Sequence, residues 1–170
     1  MPRVPLSDGR VLGWLAGSFA GRRCFVVGNG PSLTVADLDR IACSGDISIA
    51  SNKIFLAFAD TQWRPTIYTV ADWCVAENNV REIRELNLLK MFPQELRSYL
   101  GPEYTQAGRA VFFRQIVPPP VPDEAYVSYF TDDIRQGVFV GETITNLNIQ
   151  IAAFLGCREI YLIGVDGPLC

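Results

Sequence analysis

Two short turns of this 170-residue chain carry the residue types that hold a phosphate group in many proteins. One turn follows an apolar run and reads GNGPS, and the other lies directly before a long helical stretch. Glycine lets the backbone approach a ligand closely, and the first N–H groups of a helix are unpaired and attract anions. The candidate nucleotide-binding residues of the two turns are Gly28, Asn29, Gly30, Pro31 and Ser32, and Gly141, Thr143 and Thr145.

The spacing of these residues leaves two interpretations open. It matches neither the GxGxxG dinucleotide pattern nor the lysine-containing Walker loop. An ordinary strand-to-helix turn uses the same small residues, and Thr143 or Thr145 also suits a simple helix cap.

Two aspartates and one asparagine follow other apolar runs. Asp72 and Asp166 are candidate catalytic residues and candidate Mg²⁺ ligands, because Mg²⁺ prefers one or two carboxylates together with substrate phosphates. Asn52 offers a donor and an acceptor, which suits a base edge or a ribose. The alternative is that these strand-end side chains only cap the loops that follow them.

The composition excludes several kinds of chemistry. The chain has no histidine, which removes an imidazole general base, the Ser-His-Asp triad and histidine-ligated zinc. Its net charge of −3 gives no diffuse basic surface for duplex nucleic acid. With 49% hydrophobic and 19% charged residues, the chain is a globular domain rather than a disordered one.

The elements that position these residues alternate along the chain. Continuous apolar runs bounded by turn residues favour buried parallel strands, and helical stretches lie between them. This order predicts an α/β, Rossmann-like fold with an open, doubly wound, mostly parallel sheet and helices on both faces. The predicted strands are residues 22–28, 46–50, 66–70, 89–92, 110–116 and 158–164, and the predicted helices are residues 11–19, 34–41, 53–59, 79–88 and 143–155.

The whole chain, residues 1–170, is predicted to be one nucleotide-binding domain. Residues 1–21 form a helical lead-in, and residues 117–140, which begin with VPPPVP, form a loop or lid because proline donates no hydrogen bond to a sheet. The sequence ends six residues after the last predicted strand, so we expect the domain to be truncated at its C-terminus. Widely spaced cysteines and the absence of an apolar stretch of ~18 residues favour a cytoplasmic protein without a membrane span.

Four sequence blocks carry a family resemblance. They read RRCFVVGNGPSL, SIASNKIFLAF, WRPTIYTVAD and AAFLGCREIYLIGVD. In this order they resemble the MptE-like family, which is named for an archaeal 6-hydroxymethylpterin diphosphokinase. The blocks are also similar to those of bacterial sialyltransferases and of motility-associated flagellin glycosyltransferases.

The resemblance implies a nucleotide held by the Gly28–Ser32 turn and Asn52, with the Gly141–Thr145 turn at its phosphate or donor group. Asp72 and Asp166 would line the same cleft, and the diphosphokinase relatives imply ATP and Mg²⁺. In the sialyltransferases the general base is a histidine downstream of the last matching block, which this chain lacks.

The sequence therefore predicts a nucleotide-dependent transferase domain, with diphosphokinase-type transfer from ATP as the first hypothesis. Such transfer depends on positioning and electrostatics and needs no histidine. The alternatives are a glycosyltransferase that uses a nucleotide-sugar in surface glycan synthesis, with Asp72 or Asp166 as base, or a truncated non-catalytic nucleotide-binding module. The expected partners are ATP, a cytidine nucleotide or a nucleotide-sugar, and a small-molecule or glycan acceptor.

Overall fold

The central element of the fold is a six-stranded, fully parallel sheet with the strand order β5-β4-β3-β2-β1-β8. It is seen in a computed structural model that describes residues 6–101, 110–118, 129–139, 141 and 143–167. Two further strands, β6 and β7, form a small parallel sheet of their own. The strands are β1 (Arg23–Val27), β2 (Ile47–Ser51), β3 (Ile67–Thr69), β4 (Leu89–Pro93), β5 (Ala110–Phe113), β6 (Gln115–Ile116), β7 (Val138–Phe139) and β8 (Glu159–Ile163).

Helices cover both faces of the sheet, which confirms the predicted Rossmann-like α/β fold. One core packs beneath the first and last helices around Leu12, Ile49 and Ile151, and the other packs beneath the remaining helices around Leu38, Tyr68 and Ile83. No helix in the described parts of the chain has the length and apolar character needed to cross a bilayer. The helices are α1 (Leu6–Leu15), α2 (Val35–Ser44), α3 (Trp73–Asn78), α4 (Val80–Glu85), α5 (Arg97–Leu100) and α6 (Ile144–Phe154), with 3₁₀ turns at Asn52–Ala59 and Gln94–Leu96.

The strand order reverses beside β1. The chain adds β2 to β5 on one side of β1 and then returns to place β8 on the other side. The return brings α6 across the sheet, where it packs against β1 and β2. Ligands of open α/β sheets bind outside the carboxyl ends of the strands near such a reversal, so this edge is the place to look for a site.

Two predicted elements differ from the structure. The helix predicted over residues 79–88 is the shorter helix α4, and it is preceded by an unpredicted helix, α3, which ends where the Asn79 side chain donates to the Val75 carbonyl at 2.7 Å. The strand predicted over residues 110–116 divides at Arg114 into β5 and β6, which belong to different sheets. Of the predicted loop or lid, residues 117–140, residues 119–128 and 140 lie outside the described residues, and Val138–Phe139 form β7.

Helix α2 begins at the capping box that the sequence predicts. The Asp37 N–H donates to Thr34 Oγ1 at 3.2 Å, and the Thr34 N–H donates to the Asp37 carboxylate at 3.2 Å. Replacing Thr34 with alanine is expected to lower the free energy of unfolding by about 1 kcal/mol, because an unpaired helix N–H is left behind. Urea unfolding measures the change, and Thr34→Ser, which keeps the hydroxyl, is the matched control. An equal decrease in the free energy of unfolding in both variants would show that the Thr34 hydroxyl does not stabilise the start of α2.

Candidate functional site

A cleft of about 380 Å³ opens at the carboxyl edge of the sheet. It lies between the ends of β2 and β3, the first turn of α6 and the small β6–β7 sheet. Its lining has one charged residue among the described residues, Asp72. The lining residues are Asn52, Ala71, Asp72, Gln115, Phe139, Gly141, Thr143, Ile144 and Leu147.

Asn52 presents an unused polar atom at the end of β2. Its backbone has a φ of 55°, a left-handed conformation that asparagine tolerates better than most residues. The Tyr68 hydroxyl donates to the Asn52 carbonyl at 2.6 Å and holds this conformation. The buried Oδ1 atom of Asn52 has no hydrogen-bond partner among the described residues, which is unusual for a buried polar atom.

The first turn of α6 forms the opposite side of the cleft. Thr143 occupies the N-cap position in an extended conformation, but its side chain makes no capping hydrogen bond. Because the Thr143 side chain does not cap the helix within the described part of the chain, the first turn of α6 can face an anion, and the helix dipole favours negative charge there. Gly141, Thr143 and Ile144 all line the cleft at this point, whereas Thr145 is half-buried and does not.

Asp72 lies between these two sides. It is the N-cap of α3, and its Oδ1 accepts a hydrogen bond from the Val75 N–H at 3.0 Å. This bond fixes the side chain while the residue remains exposed to solvent. A carboxylate held in this way can accept a proton from a hydroxyl group bound in the cleft.

Gln150 holds the outer wall of the cleft in place. It is fully buried in α6, and its Oε1 accepts from the backbone N–H groups of Thr131 at 3.3 Å and Phe139 at 3.1 Å. Its Nε2 donates to the Phe139 carbonyl at 3.1 Å. The wall that contains Phe139 is therefore attached to the same helix whose first turn faces the cleft.

The Gly28–Ser32 turn lies beside the cleft, and none of its residues lines it. The Asn29 side chain donates to the Ser51 carbonyl at 3.0 Å and joins the turn to the end of β2. The Gly30 N–H donates to the Gly164 carbonyl at 2.8 Å. A Cβ atom on Gly30 would lie 2.0 Å from Asp166 Oδ2, so glycine is required here by contact with the segment after β8, which the sequence does not reveal.

Asp166 closes the same turn. Its Oδ2 accepts a hydrogen bond from the Ser32 N–H at 2.9 Å. Hydrogen bonds from the Ser32 side chain and backbone lower the pKa of the Asp166 carboxyl below its usual value. In this structure Asp166 therefore positions the turn, and Pro31 beside it is exposed.

The structure does not bring the two predicted metal ligands together. The ends of β2 and β1 lie between β3, which precedes Asp72, and β8, which precedes Asp166. Three strand spacings amount to about 14 Å, whereas Mg²⁺ binds carboxylate oxygens at roughly 2 Å. The described residues also contain no cluster of three or more His, Cys, Asp or Glu side chains suited to a metal. This arrangement does not support one Mg²⁺ ion shared by both aspartates.

Sequence reasoning missed a set of polar residues beneath the cleft. The Thr69 hydroxyl donates to Asn148 Oδ1 at 2.7 Å, and Ser51 pairs with Thr69 in the sheet. Ser51 and Asn148 are buried, and their Oγ and Nδ2 atoms have no partner. The signal in the sequence was the occurrence of Asn148 and Gln150 within the otherwise apolar residues 147–154 of α6.

These observations define the class of protein: a Rossmann-like α/β domain with a cleft at the carboxyl edge of its sheet, bordered by the first turn of α6. The chain belongs to the 6-hydroxymethylpterin diphosphokinase MptE-like family, whose model matches residues 10–168. The family resemblance of the four sequence blocks is thereby confirmed.

A solved structure shares this fold. The MAf glycosyltransferase from Magnetospirillum magneticum AMB-1 superposes with a TM-score of 0.51 at 15% sequence identity. The match covers 99% of this chain and 29% of that protein, so the present chain spans less than a third of its length. A search of the curated proteins finds no match to this chain.

Proposed function

We propose that this chain is a nucleotide-dependent transferase domain that moves a sugar from a nucleotide-sugar to a hydroxyl acceptor. The observation that carries the proposal is the arrangement of the cleft. An unpartnered acceptor, Asn52 Oδ1, lies on one side, a free helix N-terminus lies on the other, and one carboxylate stands between them.

Each side of the cleft suits one part of such a donor. Asn52 Oδ1 accepts from an exocyclic amino group of a base or from a ribose hydroxyl. The N–H groups at the start of α6 hold the phosphate. Transfer breaks the bond between the sugar and the phosphate oxygen and forms one to the acceptor oxygen, whose proton passes to Asp72.

The charge of the cleft favours sugar transfer over diphosphate transfer. ATP carries about four negative charges near neutral pH, and cations stabilise the negative charge on the group that is transferred. The described lining residues include a carboxylate and no basic side chain, and Asp72 and Asp166 are too far apart to share Mg²⁺. A sugar nucleotide has fewer charges to neutralise, and the fold shared with a glycosyltransferase agrees with this choice.

Diphosphate transfer from ATP remains the second candidate because the family name refers to it. A Mg²⁺ ion bound at Asp72 would supply charge neutralisation for the transferred diphosphate. Asp72 alone would contribute a carboxylate ligand, with ATP and water supplying the others.

Thermal unfolding with a panel of ligands tests the proposal. The chain is melted with ATP, CTP, CMP and nucleotide-sugars, each with Mg²⁺ and with a chelator. A ligand at 100 times its Kd adds about 2.7 kcal/mol to the free energy of unfolding. We expect the largest stabilisation from a nucleotide-sugar or its nucleotide product, unchanged by the chelator.

Other outcomes of this panel contradict the proposal. Stabilisation by ATP that disappears with the chelator would identify the diphosphokinase reaction instead. A bound nucleotide-sugar that is never transferred to any hydroxyl acceptor would identify a non-catalytic module. A folded chain that responds to no nucleotide would exclude all of these functions.

A further inference from the structure

Two aromatic side chains remain exposed beside the cleft. Trp73 and Tyr99 stack with their ring centroids 5.7 Å apart and an angle of 30° between the ring planes. The exposed fractions are 53% for Trp73 and 39% for Tyr99. Isolated apolar residues are common on protein surfaces, but a stacked pair of large rings is a preformed flat surface.

The position of the pair relates it to the proposed reaction. Trp73 is the first residue of α3 and follows Asp72, which lines the cleft. Tyr99 lies in α5, which packs against α3 and follows the carboxyl end of β4. Both rings therefore lie at the edge of the sheet where the cleft opens, on the side of Asp72.

Carboxylates lie near Trp73, whereas the Arg84 guanidinium donates to the Leu100 carbonyl, next to Tyr99, at 2.6 Å. Partial burial, followed by the negative charges of Asp72 and Glu77, raises the pKa of the Cys74 thiol in the first turn of α3. An anionic ligand on Trp73 would be repelled by these two carboxylates, whereas a neutral one would not.

We propose that the stacked Trp73–Tyr99 surface is the acceptor subsite and that it binds the pyranose ring of a neutral sugar. The C–H groups on one face of a pyranose carry partial positive charge and are attracted to the electron-rich face of an indole. A sugar ring in contact with Trp73 would lie near Asp72, which directly precedes Trp73 in the chain. This inference rests on the proposed function, because it assigns the second substrate of that reaction.

Saturation-transfer NMR on the full chain tests the subsite, with the best-stabilising nucleotide present. The probes are methyl β-D-galactopyranoside and methyl β-D-glucopyranoside, with N-acetylneuraminic acid as the anionic comparison. We expect saturation transfer from the protein to the ring protons of a neutral glycoside. In Trp73→Ala the affinity of the chain for that glycoside should fall at least tenfold. The affinity for the nucleotide should stay within twofold.

Two further variants make the result specific. Trp73→Leu keeps an apolar side chain but removes the aromatic face, and it should lose the glycoside as Trp73→Ala does. Trp14→Ala removes another exposed indole, 71% exposed on α1, and should bind the glycoside normally. Circular dichroism confirms that each variant is folded.

Three results would contradict the proposed acceptor subsite. The first is no saturation transfer to either neutral glycoside, and the second is tighter binding of N-acetylneuraminic acid than of the glycosides. The third is a loss of glycoside affinity in Trp14→Ala equal to that in Trp73→Ala. Loss of nucleotide affinity in the Trp73 variants would show that the rings hold a base instead. Glycoside binding that depends on Trp73 in a chain that no nucleotide stabilises would contradict the proposed transferase function and leave a sugar-binding surface.

Discussion

Replacing Gly30 with alanine is expected to remove nucleotide binding and to lower the free energy of unfolding by about 1–3 kcal/mol. The added Cβ atom would lie 2.0 Å from Asp166 Oδ2 and 2.8 Å from the Gly164 carbonyl oxygen. The turn must therefore move away from the segment after β8, and its bond to the end of β2 through Asn29 is disturbed as well. Urea unfolding and thermal shifts with the best-stabilising nucleotide measure the two effects.

The matched control for this variant is Gly13→Ala. Gly13 lies within α1, and no heavy atom would lie within 4 Å of an added Cβ, so alanine should stabilise the chain by up to about 1 kcal/mol. Nucleotide binding should be unaffected. Equal stability and nucleotide affinity in Gly30→Ala and Gly13→Ala would show that the turn tolerates a side chain and that its contact with Asp166 is unimportant.

Replacing Asp72 with asparagine is expected to lower the rate of transfer by about 10²–10⁴-fold, because the acceptor loses its general base. Asparagine is as good an N-cap as aspartate, so its side-chain oxygen can still accept from the Val75 N–H and α3 should persist. Steady-state kinetics with the nucleotide-sugar that binds best measures the change. The Kd of that donor should remain within a few fold.

Asp60→Asn is the control for the loss of one negative charge. Asp60 is exposed and lies at the end of the 3₁₀ turn Asn52–Ala59, outside the cleft lining. Its transfer rate should equal that of the unchanged chain. A normal transfer rate in Asp72→Asn would show that Asp72 is not the general base. A large loss of donor affinity would show that the carboxylate contributes to binding of the donor.

Much of the fold follows from local sequence. The apolar run before Gly28 predicts β1, because central parallel strands are buried on both faces. The run before Gly164 also predicts a strand, β8, but β8 lies at the edge of the sheet and leaves Tyr161 and Leu162 exposed. Thr34 and Asp37 predict the start of α2 from their spacing alone. Helix α3 was missed because its start depends on the Asp72 side chain accepting from the Val75 N–H, a contact that residue type does not determine.

The site was less accessible to sequence reasoning. Strand-end residues identify an edge of the sheet, and Asn52 and Asp72 do meet in one cleft there. The position of Asp166 relative to Asp72 depends on the order of strands across the sheet, which places β2 and β1 between the strands that precede these two residues. Phe139 lines the cleft because β7 pairs with β6, a non-local contact that no pattern of residues indicated.

The contacts that shape the turn after β1 also determine when it can form. The Ser32 N–H and the Asp166 carboxylate that it contacts are 134 residues apart in the chain. Contacts between distant segments form slowly because the intervening chain must first be ordered. A nascent chain that has emerged only as far as α6 contains β1 to β5 but cannot yet close this turn. We therefore expect ligand-binding competence to be acquired only after Asp166 has emerged and β8 has joined the edge of the sheet.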